Sequence, residues 1–451
     1  MSGSVANEVS IATGRAARGV VPRRSLAEWD GARRSRSALE VLFGQHSERD
    51  KDLLPIRYGR MSASPWTYLR GAAAVMAADL ALSPHTGLLV QLCGDAHVLN
   101  YGLWATPERN LAFDLRDFDE TLPGPFEWDV KRLAASLVVC ARDNGLSGGA
   151  ARDAVVAAVR SYRAHMREYA AMSELDVWYD RIDVATPLSS LSARDREDMS
   201  RRIAKEAERR TSAGAFRKLT ELREGRRRII EKPPFRVHLD RPQDRHEAEI
   251  AWQVFRTYSA SVPEELSTLF ERFTLTDVVR QIVGVGSVGM RVYLVLAEGN
   301  SGQAPQFLQI KQAGASVYEQ HLEPSRHDNH GHRVVAGQHL MQSATDLFSG
   351  WTRAEGFDFY VRQFRDMKVI PDGRKIAPYL TPFAASCAHA LAKAHARSGD
   401  PVAIAAYIGK GNQFTSAITE FAESYARQTR KDHADLVAAI TDGTVEAAPG
   451  W

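Results

Sequence analysis

The chain has little cysteine. Cys93, Cys140 and Cys387 are its only three in 451 residues, odd in number and far apart. That excludes a disulfide framework and every paired-cysteine metal motif, and it points to a reducing, cytoplasmic setting. Long apolar runs are absent too: no stretch is long enough to span a bilayer, so no membrane partner is expected. The opening "MSGSVANEVSIATGRAARGVVPRRS" lacks the apolar centre of a signal peptide. Residues 1–24 are expected to be a mobile tail. An excess of one charge is also missing. A net charge of +3 is too mild to specify nucleic acid, and the one dense basic run, 201–236, has few aromatics among its basic residues. That run reads as a solvated helical face, with docking of an anionic substrate as the alternative. What is there, 44% apolar and 25% charged residues, is an ordinary globular composition. The length allows about two or three lobes with cores of their own.

Periodicity divides the chain into three parts. "SPWTYLRGAAAVMAADLAL" (64–82) has helical spacing and a Ser/Pro start. "GLLVQLCG" follows as a short buried strand. "LAFDLRDFDETLPGPFEWD" (111–129) reads as a strand, an acidic turn and a Pro/Gly loop, before "WDVKRLAASLVVCARDNG" resumes as a helix stopped at Gly145. Residues 150–230 read as mostly helical and charged. Near 235 the texture changes. "TDVVRQIVGVGSVGMRVYLVLAEGNSGQAPQFLQIKQA" (276–313) alternates as strand, glycine loop, strand, turn, strand. "GHRVVAGQHLMQSATDLF" is helical and "FDFYVRQFRDMKV" a further strand. Residues 373–451 return to helix. The expected organisation is a 25–235 helical lobe, a 236–372 β-rich lobe and C-terminal helices that pack back on the first lobe.

The chemistry concentrates in "QLCGDAHVLNYG" (91–102). Asp95 and Asn100 stand five apart, the spacing D-x-x-x-x-N of a kinase catalytic loop, and Asp117 follows in "RDFDET". Phosphoryl transfer needs a carboxylate beside the attacking hydroxyl and hard oxygen ligands that hold Mg²⁺ on the phosphates. Asp95 would orient or deprotonate the acceptor, and Asn100 and Asp117 would hold the metal, with Asp114 and Asp119 as alternatives to Asp117. A single Asp-x4-Asn match more often caps a turn; the strand before it and the acidic loop after it weaken that alternative. His97 reads as a packed loop histidine.

A second group lies in the β-rich part. "GVGSVG" supplies Gly284, Gly286, Ser287 and Gly289 between two strands, where glycines let backbone N–H groups approach phosphates. About twenty residues on, "LQIKQA" puts Lys311 in a strand, the position of the phosphate-pairing lysine. The plain alternative is a hairpin turn and an edge-strand lysine. A kinase has its glycine loop and lysine before the catalytic loop; here they come after. The expected fold is therefore α+β, a protein-kinase-like two-lobe fold in circularly permuted order: helical lobe first, β-rich nucleotide lobe second, C-terminal helices completing the helical lobe. Permutation is physically permitted where the old termini lie close.

Several longer motifs carry a resemblance: "RYGRMSASPWTYLRGAA", "LCGDAHVLNYG", "FDLRDFDETLPGPFEWDVKRLAAS", "IKQAGASV", "HRVVAGQHLMQSATD" and "LAKAHARSGD". Over about 25–445 the chain resembles the bacterial domain-of-unknown-function family 2252. "CGDAHVLN" also resembles the H-G-D-x-H-x-x-N loop of aminoglycoside phosphotransferase and HipA-like kinases, with Cys93 in place of the first histidine. By the same resemblance "RDFDETLPGPFEWDVKRLA" gives Asp117 the metal role and Asp129 a structural, helix-anchoring one. The resemblance implies ATP and Mg²⁺ as cofactors and a small-molecule hydroxyl or amine as acceptor. The glutamate expected to pair with Lys311 is not found; Glu319 and Gln338 are the nearest candidates. A nucleotide-binding regulatory pseudokinase and a metal-dependent phosphoesterase built on Asp95, His97, Asn100 and Asp117 are the rival readings. His321, His327, His330 and His332 form a loop cluster with no fixed ligand geometry. Arg397 and Asp400 end a helix, and Arg57, Arg60 and Arg70 could clamp a phosphate or an acidic acceptor.

Overall fold

A computed structural model describes residues 2–189, 192–299, 305–365 and 367–449. It is a mixed α+β structure in which a helical body carries short hairpins and one larger sheet. In the body, β1 (Leu89–Leu92) pairs antiparallel with β4 (Leu122–Pro125), and β2 (Tyr101–Ala105) with β3 (Leu111–Leu115). These two ribbons present the 93–100 and 116–121 loops side by side. A third small hairpin joins β5 (Thr220–Arg223) to β6 (Arg226–Ile229). The larger sheet holds β7 (Arg236–His238), β8 (Phe273–Gln281), β9 (Val292–Gly299), β10 (Gln306–Ala313), β11 (Gly350–Ala354) and β12 (Phe357–Gln363). Its order is β11-β12-β10-β9-β8-β7, antiparallel throughout. β9 and β10 are central and almost wholly buried, as their Val/Leu/Ile content requires.

The body's core is built from both ends of the sequence. Leu92, Leu115, Phe126 and Leu137 pack with Leu391, Ile404, Phe414 and Phe421 in one cluster. Helix Phe126–Asp143 lies at its centre. Every position from Phe126 to Ala141 is buried, including Glu127, Asp129, Lys131 and Arg132. A helix carrying so much charge can be buried because Glu127, Asp129 and Arg132 are hydrogen-bonded within the fold and Lys131 lies over the Phe421 ring. The C-terminal helices Leu380–Ser398 and Gln413–Thr441 pack against it, and Tyr425 Oη reaches Asp79 Oδ2 at 2.7 Å in the early helix Ala73–Ala81. The sheet has cores of its own. Val295, Ile310 and Val361 meet Ile250 and Val254 of helix Arg245–Thr257 on one face, while Val279, Leu294 and Phe307 meet Ala215 and Ile229 on the other.

Three expectations are corrected. The segment expected as a mobile tail is helix Ser2–Val20, which lies along helix Pro401–Ile408; Arg18 Nε donates to the Tyr407 carbonyl at 3.0 Å and Arg23 Nη1 to that of Ile408 at 2.7 Å. Those arginines satisfy carbonyls at the end of the second helix, a favourable placement that no apolar pattern announces. The helix expected over 64–82 is two, Pro65–Gly71 and Ala73–Ala81, broken at Ala72 (φ −112°, ψ 36°). The basic run folds in part as the β5–β6 hairpin, and residues from Ser212 onward already cover the larger sheet, so the β-rich part begins before 236.

Candidate functional site

A cleft of about 920 Å³ runs between the body and the sheet. From the body it is lined by Asp95, Asn100, Asp117 and Asp119; from the sheet side, by Gly284, Gly286, Ser287 and Lys311. Segments far apart in the sequence thus meet at one place. Gly289 is the one expected residue outside the lining. Its φ is +93°, and a Cβ there would stand 2.8 Å from Arg49 Cβ, so it lets the loop turn tightly over that arginine.

The Asp95 loop is held from behind. Just past β1 the chain turns at Gly94 (φ +84°), where any side chain would meet the Glu120 carbonyl oxygen at 2.3 Å. Asp129, in the first turn of helix Phe126–Asp143, accepts from the N–H groups of Cys93 (2.7 Å) and Gly94 (3.1 Å). It ties the start of the loop to that helix, with His395 Nε2 3.4 Å from the same carboxylate. Asn100 Nδ2 donates to the Asp95 carbonyl at 2.7 Å, which closes the loop and leaves Asn100 Oδ1 without a hydrogen bond among the described residues. His97 is buried and packs edge-on to Trp66, 5.7 Å between centroids. Burial and the charges of Arg70 and Arg132 push its pKa well down, so it is neutral.

Asp95 itself is four-fifths buried. Its Oδ1 accepts from Arg132 Nε at 2.9 Å and Nη2 at 2.7 Å, a forked pair no motif announced. Burial pushes the Asp95 carboxyl up; Arg132 pulls against it. Oδ2 takes no part in that pair and lies 3.8 Å from His97 Nε2.

The three flanking aspartates separate cleanly. Asp114 is buried and ion-paired with Lys393, away from the cleft. Asp119 pairs with Lys311 and accepts from Tyr360 Oη at 2.6 Å. Asp117 is left with a buried Oδ1 that has no hydrogen-bond partner. A buried carboxylate oxygen without a donor is costly unless a cation sits beside it. With Asn100 Oδ1 it forms a hard-oxygen donor set of the kind Mg²⁺ prefers. The chemistry of these residues fits a divalent ion.

Lys311 lies on β10 opposite Val292 of β9 and Tyr360 of β12, with its ammonium buried. Burial would lower its pKa, but the Asp119 charge outweighs burial and holds it up. Its acidic partner thus comes from the acidic loop, not from Glu319 or Gln338. Helix His330–Met341, which packs behind the sheet, offers Arg333 instead, and this arginine donates to the carbonyls of Asp119 (2.8 Å), Thr121 (2.7 Å) and Gly314 (2.9 Å). The glycine loop joins β8 to β9, strand to strand. Arg49 Nη1 supports it through the Gly286 (2.8 Å) and Val288 (2.5 Å) carbonyls, and Arg60 binds the Gly284 carbonyl.

Further cations surround Asp117. Arg116 donates to the Leu99 carbonyl from Nε (3.0 Å) and Nη2 (2.7 Å), and burial lowers its pKa to about 10. Arg362 is fastened to Gln309 Oε1 at 3.1 and 3.0 Å. Of the histidine cluster only His321 reaches the lining, and Arg397 and Asp400 fall outside it. Arg397 caps the Leu340 carbonyl (3.0 Å), and Asp400 Oδ1 caps the helix starting at Pro401 through Ala403 N–H (2.8 Å). His332 stacks between His327 and Trp351; among the described residues no cluster of three or more His, Cys, Asp or Glu side chains could hold a metal. No helix among them is long and apolar enough to cross a membrane.

Fold and cleft together define an α+β protein with a cation-rich cleft between a helical body and a six-stranded antiparallel sheet. The family described as "Uncharacterized protein conserved in bacteria (DUF2252)" matches residues 49–439, and the chain belongs to that family. Comparison with curated proteins and with solved structures returned no match.

Proposed function

We propose that this protein is an ATP- and Mg²⁺-dependent phosphotransferase built on a circularly permuted kinase plan, acting on a small-molecule hydroxyl or amine. One observation carries the reading: Asp95, Asn100, Asp117, the 284–287 loop and Lys311 line a single cleft although the chain presents them in reversed order. Phosphoryl transfer requires these parts at one point, because positioning and electrostatic stabilisation supply nearly all of its catalysis. In this reading the 284–287 backbone and Lys311 hold the phosphates of the nucleotide. Asp95 Oδ2 accepts the proton of the attacking group while Arg132 fixes Oδ1. Asn100 and Asp117 would hold Mg²⁺, whose contribution is to neutralise phosphate charge. Asp119 keeps the Lys311 ammonium ionised in a buried place.

The pairing of Lys311 with Asp119 also favours a second reading, a nucleotide-binding regulatory pseudokinase, since the lysine is engaged by the acidic loop itself. A phosphoesterase using His97 has less support, because His97 is buried and packed on Trp66 and the glycine loop would have no role. The deciding experiment is calorimetric titration with a non-hydrolysable ATP analogue with and without Mg²⁺, followed by incubation with ATP and a metabolite mixture. Mg²⁺-dependent binding and a metabolite heavier by one phosphoryl group support the transferase. Binding without any transfer supports the regulatory reading, and no nucleotide binding overturns both.

A further inference from the structure

The cations of the cleft fall into two kinds. Arg34 is paired with Asp79 and Asp432, Arg132 with Asp95, and Lys311 with Asp119. Arg49, Arg57 and Arg70, by contrast, have no carboxylate within ion-pair distance among the described residues. Arg70 lines the cleft and its Nε is buried with no hydrogen-bond partner. Among the described residues its ring contact is with Trp66, 5.9 Å from the centroid. Arg49 also lines the cleft and spends Nη1 on the glycine-loop carbonyls. Arg57 stands directly behind them, fully buried. Its Nη2 reaches Gln45 Oε1 (2.6 Å) and the Gly71 carbonyl (3.3 Å), both from residues of the cleft wall, while Nε and Nη1 are buried without partners. Burial and the neighbouring Arg49 lower the Arg57 pKa to about 9.

A buried guanidinium without a counter-ion is costly, and Arg57 stands so behind two half-buried arginines, a cluster that an anion would complete. The anion has a definite place. Asp95 and Asp117 are the acidic groups whose fields reach Arg70, so the cluster adjoins the point where the acceptor would meet the transferred group. Beyond it the wall is made of Ala73, Ala74 and Ala78, small side chains that leave room for the body of a small molecule.

We propose that Arg49 and Arg70, backed by Arg57, bind an oxyanion of the acceptor, a phosphate or a carboxylate, so that the substrate is an anionic small molecule. As a statement about the acceptor this rests on the phosphotransferase reading; as a statement about an anion site it stands on the arginine cluster alone. Guanidinium groups suit this task because their planar forks match both oxyanions.

The test is calorimetric titration of the full-length protein with inorganic phosphate and, separately, with acetate, each with and without a saturating Mg²⁺–ATP analogue. Arg70→Met is compared with the wild type after circular dichroism shows that its fold and melting are retained. Arg36→Met, on the same cleft, serves as control. The expected result is oxyanion binding that persists when the nucleotide site is filled and weakens about tenfold or more in Arg70→Met, the loss of a charged hydrogen bond. Analogue affinity should stay within about twofold in the same variant. The stronger of the two probes identifies the anion as phosphate or carboxylate. If neither probe binds, or if Arg70→Met binds it as the wild type does, the anion site is wrong whatever the nucleotide does. If the analogue fails to bind while phosphate binding depends on Arg70, the site holds and the phosphotransferase reading fails.

Discussion

The backbone N–H of Gln91 donates to the hydroxyl of Ser398 at 3.1 Å, so the strand leading into the Asp95 loop begins where helix Leu380–Ser398 ends. The two residues are far apart in the chain. Gly399 lies so close that a Cβ there would stand 2.7 Å from Val90 Cγ1. In the permuted reading proposed above, the parts followed through this contact run glycine loop, Lys311, helix Leu380–Ser398, Asp95, Asn100, Asp117, the order of a kinase. A permuted chain needs one such junction between segments that a single chain could join.

Asp95→Asn should abolish phosphoryl transfer by orders of magnitude while retaining binding of the ATP analogue. It also leaves the Arg132 guanidinium without its counter-charge, so the melting temperature should fall by an amount equivalent to about 1–3 kcal/mol. Coupled nucleotide assays and thermal melts read the two effects separately. Undiminished turnover would remove Asp95 from the mechanism.

Asp117→Ala should relieve an unpartnered buried oxygen and so leave the fold intact or slightly stabilised. Mg²⁺-dependent analogue binding should disappear. Titrations in Mg²⁺ and in EDTA should differ for the wild type and coincide for the variant; equal affinities in EDTA and Mg²⁺ for the wild type would show that Asp117 holds no metal.

Lys311→Met should strand Asp119, and Asp119→Asn should strand Lys311, each destabilising the protein. The double variant should be more stable than the sum of the single losses, with a coupling of about 0.5–3 kcal/mol by denaturant titration. Additive losses would mean that the two side chains do not act as a pair.

Glu120 carries a pH dependence. Burial raises its carboxyl to about 7, against the Val317 N–H and Arg333. A carboxyl whose folded pKa lies above its unfolded value contributes stability that is present at low pH and lost as pH rises through the folded pKa. The melting temperature of the wild type relative to Glu120→Gln should therefore fall between about pH 5 and about pH 8. A difference that is flat over this range contradicts the assignment.

Much of the site was legible because its signals are local. The Asp95–Asn100 spacing, the strand before it, and a glycine loop followed by a strand lysine all read within a short window. The partners were not. Arg132 lies on a charged helix whose pattern looks amphipathic, and nothing local shows that both faces are buried. The lysine's acid was sought on the following helix, whereas the sheet folds over the acidic loop and brings Asp119 instead. The β5–β6 hairpin was hidden by arginine density, although Glu224 (φ 51°) and Gly225 (φ 75°) form the two-residue turn that "EG" permits. The break at Ala72 follows Gly71, but the alanine-rich run beyond it keeps helical spacing and hides the interruption.

The core shared by the two ends of the sequence has a consequence for synthesis on the ribosome. Helix Phe126–Asp143 emerges early, yet the residues that cover it, Phe414, Ile418 and Phe421, leave the tunnel only after the whole sheet. The nascent body must wait with its apolar face exposed while the sheet, whose cores lie within 212–361, is completed first. Contacts of such long sequence separation fold slowly. In a stalled or prematurely terminated chain the sheet would therefore form without the floor of its cleft, and the unfinished helical body would be the part a chaperone has to hold.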